Sequence, residues 1–239
     1  MHTPSVSERD SLAAATLKSF LQVHPGRTVF LEHEVKGLLA GADLPVPRGF
    51  YLTRDDAHRM LISTSHGLAY PLVAKVVSPV ITSKSDVGGV VVGIREAGAL
   101  GKAVERLAGI EGAEGVLVEE MASRGVEVIV GGVRDPQFGP VVMFGLGGVF
   151  VELYKDVVFG LAPLTTDEAS RLIRRIRGFR LLQGFRGSGA VDLEALSGIL
   201  VNASEMMATG LIEEIDLNPV ALYPDRAVIL DAKLKAFPS

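Results

Sequence analysis

Apolar and polar positions alternate along this chain in two periods, and the switch between them outlines its elements. From Ser5 to Val23, Leu12, Ala15, Leu17, Phe20 and Leu21 fall on or near one face of a helix, which His24-Pro25-Gly26 ends. A second helix is expected over Leu31 to Ala40, stopped by Gly41-Ala42-Asp43. Pro45 and Pro47 bracket the entry into a short strand, Gly49 to Leu52. Thr53 is placed to cap a helix over Asp55 to His66, with Asp55 and Asp56 favourably sited in its first turn. Gly67 closes that helix, and Pro71 opens a β-branched run, Leu72 to Val77. An alanine-rich helix, Glu96 to Ala108, follows. Gly115 to Met121 reads as a buried strand and Gly125 to Val133 as its antiparallel neighbour. Strands Pro140 to Phe144 and Val149 to Tyr154 flank the cluster Gly145-Leu146-Gly147-Gly148, and Val157 to Leu161 is another. Helices are expected over Leu164 to Arg177 and Asp192 to Met207, then strands over Ile212 to Leu217 and Ala227 to Asp231. The pattern is α+β, with a boundary near Gly109–Gly115, no internal repeat, and a cleft between two halves as the expected ligand site.

Composition narrows the class. With 239 residues, 48% of them apolar, the chain can bury a sizeable core, and 22% charged residues is ordinary for a soluble protein. A net charge of −4 gives no electrostatic case for nucleic acid. The absence of cysteine removes disulfides, thiolate metal sites and cysteine nucleophiles. No apolar run approaches the roughly 20 residues of a membrane span, and MHTPSVSERD lacks the features of a secretory signal. A cytoplasmic protein, without nucleic-acid or membrane partners, is expected. The five histidines all lie at or before His66, in polar helical contexts that read as solvated surface.

The richest stretch is Val73 to Ile94. Lys75 sits inside an apolar strand, where an ammonium needs an anion or a carboxylate. Ser83-Lys84-Ser85-Asp86 and Gly88-Gly89 then offer hydroxyls, a second lysine and backbone N–H groups. Both a phosphate cradle and a surface hairpin with a snorkelling lysine fit this pattern. Glu119, Glu120 and Met121 end a strand whose edge can meet a purine or simply face solvent. Glu127, in an apolar strand, calls for a partner such as Lys75 or a ligand hydroxyl. Glu152, Lys155 and Asp156 fit either surface ion pairs or the cleft, and the arginines from Arg171 to Arg180 read as a solvated helix face. Asp216 and Asn218 project to the same side of a strand, with Asp231 nearby, and hard oxygen donors of this kind suit Mg²⁺. The competing reading is that Asn218-Pro219 merely ends the strand. The common phosphate-loop, dinucleotide, zinc-protease and serine-hydrolase motifs are absent.

Several segments together resemble one family: YPLVAKVVSP, SKSDVGGV, RDPQFGP followed by MFGLGGVFVE, KDVVFGLAPLT, LLQGFRG and EIDLNPV. Spread from about Leu31 to Lys233, they are similar to the ATP-grasp (β) subunit of ADP-forming acetyl-CoA synthetases. The resemblance implies an ATP-grasp fold, with an N-terminal segment 1–30 and subdomains 31–112 and 113–239 clamping ATP or ADP. It implies that Lys75 contacts phosphates and that the loop from Ser83 to Gly89, including Lys84, Ser85 and Gly88, covers them. Glu119, Glu120 and Met121 would form the adenine hinge, with Glu127 near the ribose, and Asp216, Asn218 and Asp231 would hold Mg²⁺. The implied reaction is acyl-CoA + ADP + phosphate ⇌ acid + ATP + CoA, through a phosphohistidine on a CoA-binding α subunit, in a heteromer such as α2β2. Family members commonly carry a histidine where this chain has Ser83, and serine cannot form a labile phosphoramidate. That departure leaves direct transfer to the partner's histidine, or a non-catalytic ATP-grasp module that regulates or scaffolds. A stand-alone carboxylate–amine ligase fits the residues less well. Removing Lys75 is expected to abolish phosphoryl transfer while leaving the fold intact.

Overall fold

The computed structural model describes residues 11–59, 67–81, 83–148, 156–184 and 189–238. Its helices are α1 (Leu12–Gln22), α2 (Glu32–Gly41), α3 (Arg54–Arg59), α4 (Ala97–Ala108), α5 (Thr166–Ile173), α6 (Phe179–Leu182) and α7 (Leu193–Ala208). Its strands are β1 (Gly49–Thr53), β2 (Leu72–Val77), β3 (Val90–Ile94), β4 (Gly115–Glu120), β5 (Val126–Asp135), β6 (Gly139–Leu146), β7 (Val157–Leu161), β8 (Ile212–Leu222), β9 (Ala227–Ile229) and β10 (Ala232–Ala236). The expected strand Val149 to Tyr154, residues 60–66 of the helix expected to reach His66, and the start of the first helix lie outside the described residues.

Two antiparallel sheets organise these elements. The first has the order β1-β4-β2-β3, and the second β10-β8-β5-β6-β7 with β9 paired to β8. Along β2 and β4, Leu72, Ala74, Val76, Val116 and Val118 face Leu100, Val104 and Leu107 of α4 in one small core. Lys75 and Glu119 alternate with these residues, so they belong to the opposite face of the same sheet. The larger core joins the second sheet to α1, α2, α5 and α7, through residues such as Leu17, Leu39, Phe144, Leu172 and Leu200.

Two expectations change here. Gly115 to Met121 does not pair with Gly125 to Val133: β4 lies between β1 and β2, whereas β5 pairs with β6 and β8. The uninterrupted apolar run Val116-Leu117-Val118 suits a central strand buried on both faces, and an extended connector, 121–125, carries the chain across to the second sheet. The expected boundary at Leu31 does not follow the packing either. Phe30, Val35, Leu38, Leu39, Ala42 and Leu44 all enter the larger core, so α2 packs with the C-terminal sheet.

Local chemistry explains several element ends. Ser11 Oγ accepts the Ala14 N–H at the start of α1, Thr53 Oγ1 accepts Asp56 N–H at α3, and Thr165 and Glu168 exchange the two bonds of a capping box at α5. Asn218-Pro219 does not end its strand, because β8 runs on to Leu222 and its far half pairs with both β5 and β9.

Candidate functional site: a cleft between the two sheets

A cavity of about 810 Å³ separates the sheets. The first sheet and its loop contribute Lys75, Ser83, Lys84, Ser85, Glu119 and Glu120; the connector adds Met121 to Gly125. Glu127, Asn218 and Asp231 close it from the second sheet. Ten of the thirteen residues that the sequence singles out therefore share one cavity, counted from its lining. Gly88, Gly89 and Asp216 do not line it.

Lys75 is the centre of a buried ionic network. Lys75 Nζ lies 2.9 Å from Glu32 Oε1, 2.8 Å from Glu119 Oε2 and 2.5 Å from the Leu230 carbonyl oxygen. Lys36, one helical turn after Glu32 on α2, repeats the pattern: 2.9 Å to Glu32 Oε1, 2.5 Å to Glu119 Oε1 and 2.8 Å to the Leu230 oxygen. An ammonium has three hydrogens, so both cations are surrounded by as many oxygens as they can serve. Lys84 reaches 2.8 Å from Glu32 Oε2 and 2.6 Å from Asp231 Oδ2, two oxygens for three hydrogens. Three lysines and the carboxylates of Glu32, Glu119 and Asp231 balance, which is the condition for holding charge away from water.

The electrostatics follow from that geometry. Burial alone would raise the Glu32 carboxyl, but the ammonium groups of Lys75, Lys36 and Lys84 hold it well below the usual carboxylate range. Burial works against charge on Lys75 and Lys84 too, and is overcome: Glu32 and Glu119 push Lys75 up, and Glu32 and Asp231 push Lys84 up. Lys36 goes the other way, lowered by burial and by the neighbouring Lys75 despite its carboxylates. Sequence reasoning missed both Glu32 and Lys36. Their signal was a Glu and a Lys four apart on a helix otherwise rich in buried apolar residues, which reads equally well as a surface pair.

The loop after β2 divides into a lining half and a structural half. Ser83, Lys84 and Ser85 face the cavity. Gly88 has φ +61° and donates to the Ser85 oxygen, while its own carbonyl accepts from Arg106 of α4. Gly89 donates to the Lys84 oxygen and accepts from Val76 N–H, so it pins the turn to β2. A Cβ at Gly89 would stand 2.5 Å from Val76 Cγ1 and 2.9 Å from the Lys84 oxygen. The glycine pair thus closes the loop by close packing rather than by facing the cavity.

Several other expectations resolve differently. Glu127 is exposed on the cavity wall and is no partner of Lys75, whose carboxylates come from Glu32 and Glu119. Glu120 is held at the rim by Arg48 at 3.3 Å and by the Ala69 N–H at 2.9 Å. The Met121 N–H donates to the Pro71 oxygen, fixing the start of the connector. Asp156 does not line the cleft: it is buried and accepts the N–H groups of Arg177 and Gly178. Glu152 and Lys155 lie outside the described residues. Two histidines are not solvated surface groups. His24 bonds to the Phe20 oxygen between two phenylalanine rings, and His33 stacks on Tyr51 at 3.7 Å.

Among the described residues no three His, Cys, Asp or Glu side chains gather as a metal cluster. The smaller donor set still fits Mg²⁺, which keeps several waters and takes few protein ligands. Asp231 Oδ1 is buried without a hydrogen-bond partner, and Asn218 is exposed on the cavity wall. Asp216 sits two residues from Asn218 on β8, opposite Lys233, and its carboxyl is pushed up by burial and by Asp231 and Glu214. It stands as a neighbour of this donor pair, outside the cavity lining.

Comparison with known proteins bears on this arrangement. A family model described as an ATP-grasp domain matches residues 22–235. The chain is 41% identical, over 85% of its own length and 90% of the relative's, to the protein named acetate–CoA ligase [ADP-forming] I subunit beta of Pyrococcus furiosus. It spans 30% and 31% of two longer Archaeoglobus fulgidus proteins named acetate–CoA ligase [ADP-forming] II and I. The solved acetyl-coenzyme A synthetase 1 of Candidatus Korarchaeum cryptofilum, with coenzyme A and Ca-AMPCP, superposes with a TM-score of 0.83 at 39% identity, covering 94% of this chain and 100% of that one. A further structure of that protein, with coenzyme A and Mg-AMPPCP and its phosphohistidine segment pointing towards the nucleotide-binding site, has a TM-score of 0.77 at 39% identity and the same coverage.

Proposed function

We propose a function from one premise: this chain belongs to the ATP-grasp family, among the relatives named as ADP-forming acetate–CoA ligases and their beta subunits. On that premise it is the nucleotide-binding subunit of an ADP-forming acyl-CoA synthetase, interconverting acyl-CoA, ADP and phosphate with acid, ATP and CoA. The observation that carries this reading is the composition of the cleft. One wall is cationic, one is a backbone connector, and one holds oxygen donors.

In this reading the nucleotide's base lies along Met121 to Gly125, with Glu119 and Glu120 at the start of that hinge and Glu127 towards the ribose. Its phosphates lie towards Lys75, Lys84 and the hydroxyls of Ser83 and Ser85. Asn218 and Asp231, with Asp216 behind them, would hold Mg²⁺, which when bound offsets phosphate charge. Lys84 approaches Asp231 at 2.6 Å through Oδ2, which leaves Oδ1 for the metal. The protein's contribution to phosphoryl transfer is positioning and charge compensation, with the lysines held charged before the nucleotide arrives.

The acceptor histidine comes from a CoA-binding partner subunit, in a heteromer such as α2β2; the phosphohistidine segment of the Korarchaeum relative, which points towards its nucleotide-binding site, supports a histidine acceptor. Ser83 on the cavity wall offers a hydroxyl and no second phosphoryl carrier, so transfer is direct to the partner. The ten expected residues that line the cleft favour this catalytic reading over a regulatory module. Relatives named for acetate, 4-hydroxybutyrate and trans-feruloyl-CoA match this chain at 33–41% identity, which supports a choice of acid made outside it.

Calorimetric titration with Mg·ADP and Mg·ATP tests the reading, followed by transfer of labelled γ-phosphate to the CoA-binding subunit. Saturable, metal-dependent binding and a labelled histidine on the partner are expected. Binding without transfer would establish the regulatory module instead.

A further inference from the structure

Glu32 touches no part of the larger cavity, yet it reaches all three lysines of the network. Its Oε1 lies 2.9 Å from both Lys36 and Lys75, and its Oε2 lies 2.8 Å from Lys84. It is 6% exposed, at the start of α2, a helix anchored in the larger core. Lys75 belongs to the first sheet and Lys84 to the loop that follows it. One carboxylate from the C-terminal lobe therefore fixes two cations of the N-terminal one. Behind it, Glu32 and Lys84 line a second, mostly apolar cavity of about 180 Å³. Lys84 lines both cavities, its ammonium held between Glu32 of the second and Asp231 of the larger.

We propose that Glu32 is the positioning residue of the phosphate site, holding Lys75 and Lys84 at the larger cavity and tying the two lobes together through them. The inference rests on the functional reading above only for what the lysines bind. The positioning itself stands on the ion-pair geometry. Glu119 cannot substitute: it contacts Lys36 and Lys75 but leaves Lys84 without its second carboxylate. With Glu32 neutral, three buried cations face two carboxylates, and the loop lysine is the freest to leave.

The test is Glu32→Gln, which keeps shape and removes charge, beside Glu32→Asp, which keeps charge and draws it back by about 1.5 Å. Measured at a temperature where each variant is folded by circular dichroism, Mg·ADP affinity should fall roughly tenfold or more in Glu32→Gln and recover to within about threefold of the parent in Glu32→Asp. A merely structural role predicts unchanged affinity in both folded variants. Should Glu32→Gln not fold, Glu32→Gln combined with Lys36→Met restores equal numbers of buried cations and carboxylates and gives the same readout. A crystal structure of the variant separates this inference from the functional reading. Displaced Lys75 and Lys84 ammonium groups support positioning whether or not nucleotide binds the parent. Lysines that stay in place, or parental affinity in folded Glu32→Gln, overturn it.

Discussion

The two walls of the cleft handle charge in opposite ways. At the first sheet the cations already meet protein oxygens: three surround Lys75, three surround Lys36 of the adjoining α2, and two hold Lys84 of the loop. On the second sheet the acceptors are left open, with Asn218 and Glu127 exposed and Asp231 Oδ1 unpartnered. The cationic wall is costly to assemble, because each ammonium must be stripped of water, so its partners are built in. The oxygen wall stays near solvent and keeps donors spare. A site for a highly charged ligand with its own divalent cation calls for this asymmetry: fixed positive charge on one side, free oxygen donors on the other.

Breaking the cationic wall should have the largest effect. Lys75→Met strands Glu32 and Glu119 with fewer cations in a buried setting, and the expected loss of stability is about 3–5 kcal/mol, with nucleotide binding lost as well. Urea unfolding and calorimetry measure the two together. This departs from the expectation that removing Lys75 spares the fold, and the reason is its three protein partners. A variant as stable as the parent would mean that the network relaxes around the gap.

Altering the oxygen wall should cost less stability and change metal dependence. In Asp231→Asn the Lys84 ammonium keeps Glu32, but three cations then face two carboxylates; because Asp231 is partly open, the expected loss is about 1–3 kcal/mol, smaller than for Lys75→Met. The Mg²⁺ concentration needed for half-maximal nucleotide binding should rise roughly tenfold, since an amide carries no charge to offer a divalent ion. An unmoved metal titration would remove Asp231 from the donor set. Glu127→Gln is milder still: an exposed group with a ligand hydroxyl as its only expected partner should change affinity by a few-fold at most, about 0.5–1 kcal/mol, and leave unfolding untouched.

The same contrast explains what could be seen in the sequence. Lys75 was conspicuous because a lone ammonium in LVAKVV violates the pattern of a buried strand, and Asp216 and Asn218 because their spacing of two sets them on one strand face. The partners of Lys75 were not visible. Glu32 lies 43 residues away on a helix, and nothing in its local spacing tells a buried carboxylate from an exposed one. Glu127 drew attention for standing in an apolar run, but it lies at the start of β5, before the strand becomes buried on both faces, and it is exposed there on the cavity wall. The strand order was hidden for a related reason. Neighbours in sequence are the default pairing, and only the extended connector between Glu120 and Val126 reveals that β4 and β5 enter different sheets.

The smallest predicted effect comes from the junction of the two walls. His33 follows Glu32 on α2 and stacks on Tyr51 of β1, so it bridges the lobes beside the network. Burial pushes its imidazolium below the usual value of 6.5, outweighing the pull of Glu34 and Glu32. The folded protein therefore keeps His33 neutral where the unfolded chain begins to take up a proton. The stability that the neutral ring contributes is present above pH 6.5 and declines as pH falls through that value towards the folded-state midpoint. Proton NMR should place the His33 midpoint below 6.5, and His33→Gln should flatten the dependence of unfolding free energy on pH between about 7 and 5. If α2 and β1 shift against each other when Mg·ADP enters the cleft, the stacked ring is partly released and its midpoint moves up. An unmoved midpoint in the presence of saturating nucleotide would mean that the Glu32 network holds the two lobes as one body throughout binding.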